Sequence, residues 1–90
     1  MPKVFTAIDS VFVDASAPPH PPNTQYKISI GYEDWGTPNP VKVLKIQMVY
    51  GGKIAGRRSP SYPMDGNSEH DYLKVRKATD DLLRKHGLNV

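Results

Sequence analysis

Apolar and polar residues alternate most cleanly over 25–33, where Tyr26, Ile28, Ile30 and Tyr32 are interleaved with Gln25, Lys27, Ser29 and Gly31. A period of two sends successive side chains to opposite faces, so this stretch predicts a strand with one face in the core and one in water. The stretch 4–13 is rich in β-branched and aromatic residues (Val4, Phe5, Thr6, Ile8, Val11, Phe12, Val13), which also favours a strand. Asp9 and Ser10 break its alternation, which predicts either a bulge there or a short strand preceded by an ordered arm. In 41–50, Val41 and Val43 hold one phase and Leu44, Ile46, Met48 and Tyr50 the other. That slip predicts a bulge or a ragged strand start.

Gly51-Gly52 supplies the positive φ angles of a tight turn, so 53–59 is expected to pair back on 41–50 as a hairpin. Two registers are open. A three-residue loop closed by a glycine bulge sets Met48 opposite Ile54 and Ile46 opposite Gly56, with Lys45, Gln47, Ala55 and Arg57 on the other face. A two-glycine turn sets Met48 opposite Ala55 and brings Arg57 beside Ile46. The first is preferred, because it keeps an arginine off the apolar face.

Further on, the period changes. Tyr72, Val75, Ala78, Thr79, Leu82 and Leu83 recur at three- and four-residue spacing, the stripe of an amphipathic helix over about 68–86. Asn67 or Ser68 is the expected N-cap, with Asp71 three residues after Ser68 in the capping-box position. Gly87 suits the left-handed position past the end, with Leu88 set to touch Leu83. Prolines mark the connections. Four of them in 15–23 enforce an extended loop, Pro38 and Pro40 end the strands on either side of 33–40, and 59–63 is a loop for the same reason. The Pro-x-x-Pro spacing in 15–23 has no close basic flank and reads as a connector.

These elements predict an α+β fold: an antiparallel sheet of three to four strands (about 4–13, 25–33, 41–50, 53–59) with one C-terminal helix packed on one face. At 90 residues it is expected to be a single domain, 1–90, with a small core. The layout resembles in outline the small domains that lay a three-stranded sheet on DNA, a likeness of element order alone.

Charge changes this picture only locally. The net +3 divides into −2 over 1–40 (Lys3, Lys27 against Asp9, Asp14, Glu33, Asp34), +5 over 41–60 (Lys42, Lys45, Lys53, Arg57, Arg58) and zero over 61–90. On the helix, Lys77 with Asp81, Asp80 with Arg84, and Asp81 with Lys85 stand four residues apart and neutralise one another. The whole excess therefore belongs to the hairpin, where a positive potential attracts polyanions.

Candidate chemistry is sparse. No cysteine is present, and His20, His70 and His86 show no ligand spacing, so neither a metal site nor any other cofactor is expected. Glu33-Asp34 and the group Asp65, Glu69 and Asp71 fit turn and capping roles, and no nucleophile motif stands out, so no enzyme activity is expected. The N-terminus lacks a signal-peptide core and no stretch approaches a membrane span, which makes a cytoplasmic setting the expectation.

The leading functional expectation is a module that binds nucleic acid or another polyanion through Lys27, Lys42, Lys45, Gln47, Lys53, Arg57 and Arg58. Its weakness is the lack of interleaved aromatics on that face. The alternative is a protein-interaction or homodimerising domain using an exposed sheet edge, through 53–59 or the first strand. Trp35 and Tyr62 are its candidate interface aromatics.

Overall fold

The computed structural model describes residues 5–17, 19–56, 59–64 and 70–88. Four strands, β1 (Phe5–Asp14), β2 (Thr24–Glu33), β3 (Val41–Tyr50) and β4 (Lys53–Ala55), precede one helix, α1 (Asp71–Lys85). The strands form one antiparallel sheet in the order β1-β2-β3-β4. The α+β arrangement expected from the residue pattern is present. Its boundaries differ: β4 is three residues rather than the seven of 53–59, and Gly56 already lies in a turn. The helix begins at Asp71 instead of 68 because His70 is the N-cap, its ring accepting from the Leu73 amide at 3.2 Å. The expected caps Asn67 and Ser68 lie outside the described residues, as do Val4, Arg57 and Arg58.

The preferred hairpin register is overturned. Tyr50 pairs with Lys53, Val49 with Ile54 and Met48 with Ala55, which is the two-residue turn. Both glycines have positive φ, +56° at Gly51 and +83° at Gly52. Two such residues build the turn whose twist matches that of the strands, and a glycine bulge is unnecessary. The arginine argument loses its force because β4 stops at Ala55, before position 57.

A bulge does occur in β1. Ala7 pairs with Gly31 and Asp9 with Ile30, so Ile8 has no partner. The extra residue resets the phase. Phe5 and Ala7 fall on the face that α1 leaves open, and Asp9 falls on the helix side, opposite Ile30. The anticipated irregularity at Val43 and Leu44 is absent, since β3 pairs with β2 unbroken from Val41 to Tyr50. Val43 is half-buried on the open face opposite Gly31, where β1 closes down, and Leu44 lies on the helix side. Each face thus takes an apolar residue without a break in the strand.

Tyr26, Ile28, Ile30 and Met48 from the sheet and Val75 and Leu82 from α1 form the buried core, flanked by half-buried Val11, Val13, Ile46, Tyr62 and Leu83. The helical stripe is as expected except for Tyr72, which is exposed. The core position in its turn is taken by Asp71, which is fully buried. The helix end matches its residues: Gly87 (φ +70°) donates to Arg84 O at 3.0 Å and Leu88 to Leu83 O at 2.9 Å, the paired bonds of a Schellman closure. Among the described residues the backbone of α1 lies against β1 and β2, and Met48 of β3 joins the core from the side of the helix.

Candidate functional site

The expected basic face is divided. Lys27, Lys45 and Gln47 share the open face, whereas Lys42, near the start of β3, and Lys53, at the start of β4, project on the helix side. Lys45 is also spoken for. Its Nζ lies 2.7 Å from Glu33 Oε2, a carboxylate side chain only 6% exposed, and 5.0 Å from the centre of the Phe5 ring. Asp14 and Glu33 fall on the same face as Lys27 and Lys45, so four formal charges there cancel. Phe12 stands in register beside Lys27 and Gln47 on this face and is 55% exposed, an aromatic named among the strand formers of 4–13 but not among the candidate site residues. Trp35 is about half exposed in the β2–β3 connection. Tyr62 is half-buried instead, stacked on Tyr26 at 5.1 Å and meeting Tyr72 edge to face at 5.5 Å.

A different feature stands out at the other border of the sheet. With β4 covering only the last three residues of β3, the outer edge of 41–47 has no strand beside it among the described residues. A two-residue hairpin makes Tyr50 and Lys53 a hydrogen-bonded pair, and hydrogen-bonding direction alternates along a strand. Tyr50 and Met48 therefore face β4, and Ile46, Leu44 and Lys42 aim their N–H and C=O groups in the same direction, past its end. The alternate residues serve β2. Leu44 and Val41 are about 40% exposed on this edge, Ile46 is half-buried, and Lys42 forms no ion pair among the described residues. The edge was missed from sequence because 53–59 was read as a full strand. Gly56, which ends β4, and apolar residues in both phases of 41–47 are the signals that a one-sided, ordinary hairpin arm lacks.

Two connections and the start of α1 converge on a buried polar cluster at the opposite end of the sheet. Asp71 accepts from the Ser16 amide at 2.9 Å, from the Ser16 hydroxyl, and from the Tyr26 hydroxyl at 2.8 Å. The Tyr26 oxygen also lies 2.6 Å from Ser61 O, which His20 Nε2 approaches at 2.9 Å. Burial pushes the Asp71 carboxyl up, but the hydrogen bonds from Ser16 and Tyr26 outweigh it and hold the group below the usual carboxylate value. Tyr26 is pushed well above an ordinary phenol, first by burial and then by Asp71. Both shifts keep charge on Asp71 and the proton on Tyr26. This cluster is closed and satisfied, and it functions as a clamp between the proline loop, the 59–64 segment and α1.

A second tie holds the far end of the helix. Asp9, placed by the bulge, meets Lys85 Nζ at 2.8 Å and His86 Nε2 at 3.0 Å. The Lys85 and His86 bonds lower its pKa to about 2. An open cleft of about 470 Å³ is lined by Pro21, Pro22, Tyr50 and Gly51 and presents no acid-base pair. Among the described residues no three His, Asp or Glu side chains gather as metal ligands, and no helix is long and apolar enough to cross a membrane.

Comparison with protein-family models, with curated proteins and with solved structures finds no match to this chain.

Proposed function

We propose that this protein is an interaction module that binds an extended segment of a partner protein by strand addition to the outer edge of β3, at 41–47. The observation that supports this reading is the row of outward N–H and C=O groups at Lys42, Leu44 and Ile46, which no strand pairs among the described residues, with Val41 and Leu44 exposed beside it. Such a row binds another strand through main-chain bonds, with side-chain neighbours giving selectivity. Lys42 on the same edge is a charge that discourages a second copy from pairing there.

The test is selection of extended peptides on the protein, followed by two controls. Leu44→Pro removes one outward N–H, a position where proline leaves the β2 ladder intact. Peptides methylated at alternate amide nitrogens test the same bonds without altering the protein. Binding lost in both controls, with the amides of residues 42, 44 and 46 newly protected from exchange, is the expected result. Selected peptides that survive both changes would sink the proposal.

A second reading is nucleic-acid binding on the open face, favoured by the row Phe12, Lys27, Gln47, in which an exposed ring adjoins a cation and an amide. It stands second because Asp14 and Glu33 cancel the local charge. It requires salt-sensitive binding of single-stranded nucleic acid that falls in Phe12→Ala and Lys27→Glu. Equal binding by parent and variants removes it. No enzymatic role is proposed.

A further inference from the structure

Building on the strand-addition reading above, we infer that the edge selects a segment of the form apolar–x–apolar–x–acidic, read in the partner's own direction and bound antiparallel to β3. Directly opposed residues in an antiparallel pair share a face. An added strand that starts opposite Ile46 places its first, third and fifth side chains beside Ile46, Leu44 and Lys42, all on the helix side of the sheet. There the backbone of α1 lies over β1 and β2, and on β3 Leu44 stays about 40% exposed and Ile46 half-buried. Two apolar side chains from the partner extend the core layer over this uncovered strip. At the fifth position Lys42 is exposed and forms no ion pair among the described residues, which favours a carboxylate.

The intervening positions are less demanding. They face Lys45 and Val43 on the open side, where Glu33 already holds Lys45 at 2.7 Å and Val43 is half-buried. Charge is thus selected at one position and apolar character at two. A second copy of β3 does not supply this order, because antiparallel pairing about Leu44 sets Ile46 of one copy against Lys42 of the other. Residues 5–9 carry the order in Phe5, Ala7 and Asp9, but Asp9 is engaged by Lys85 and His86. A separate protein fits the edge better than this chain does.

The experiment uses three fluorescein-labelled eight-residue peptides, threonine-based, read by fluorescence anisotropy. The matched one has leucine at its second and fourth positions and glutamate at its sixth. One control reverses that order, and the other carries lysine for glutamate. The parent protein is expected to bind the matched peptide about two- to fivefold tighter than either control, the range that a cross-strand pair supplies. Lys42→Glu is expected to invert the preference between glutamate and lysine. If all three bind equally and Leu44→Pro still abolishes binding, the pattern is overturned while the edge reading stands. If none binds the parent at millimolar concentration, both fall.

Discussion

At Gly31 the backbone of β1 leaves no room for a side chain on β2. A Cβ added there would overlap Thr6 O and lie 2.9 Å from the Ala7 Cα, both backbone atoms that side-chain rotation cannot move away. Gly31→Ala is therefore expected to destabilise the fold by about 1–3 kcal/mol, read from urea denaturation, through overpacking rather than backbone strain. A stability equal to the parent would show that β1 yields freely. Asp9 makes the second prediction. Its folded pKa of about 2 lies below the unfolded value of 3.8, so it favours the folded state above pH 3.8, and this contribution is lost as pH falls toward 2. The melting temperature of Asp9→Asn is expected to trail the parent at pH 5, with the gap closing near pH 2. A gap independent of pH would refute the charge-based tie. Neither role was legible beforehand, because close approach and a contact spanning 76 positions between Asp9 and Lys85 depend on tertiary geometry.

Among the elements, β2 and the C-terminus of α1 were plain from sequence. Their signals are local: strict alternation in one, Gly87 and Leu88 in the other. The hairpin arm was misjudged because a Gly-Gly pair in the sequence suits either turn, and only the positive φ observed at both glycines selects the two-residue one. The start of α1 was misjudged for a different reason. Asp71 reads as a capping carboxylate at a helix start, whereas the fold buries it against Ser16 and Tyr26, residues 55 and 45 positions away. This clamp joins two connections to the helix, so removing the Tyr26 hydroxyl should loosen all three. Tyr26→Phe is expected to cost about 1–3 kcal/mol, since it leaves the buried Asp71 carboxylate short of a hydrogen-bond donor. Hydrogen exchange should show the loss spreading to the first turn of α1. Loss of less than about 0.5 kcal/mol would mean that water replaces the hydroxyl, as it does at exposed sites.

At the scale of the molecule, the domain is a thin plate of 46 × 29 × 17 Å in which a single helix lies over β1 and β2 on one sheet face. The antiparallel sheet with one helix was readable from periodicity, and the edge was not, since an unpaired strand side is a property of what fails to arrive next to it. The localised hairpin charge was equally readable, yet its dispersal over two faces and its pairing with Glu33 required the register. Lys42 on the open edge has a consequence for assembly: light scattering should give the monomer mass for the parent and a rising mass for Lys42→Val, in which the blocking charge becomes a strand former. A parent dimer would remove the role given to the lysine. The open edge itself is most directly tested by amide hydrogen exchange along 42–47 in the free protein, followed by NMR. Protection should alternate, slow at Val43, Lys45 and Gln47, which bond to β2, and fast at Lys42, Leu44 and Ile46. Uniform protection across these six residues would show that the edge is already occupied and would contradict the strand-addition proposal.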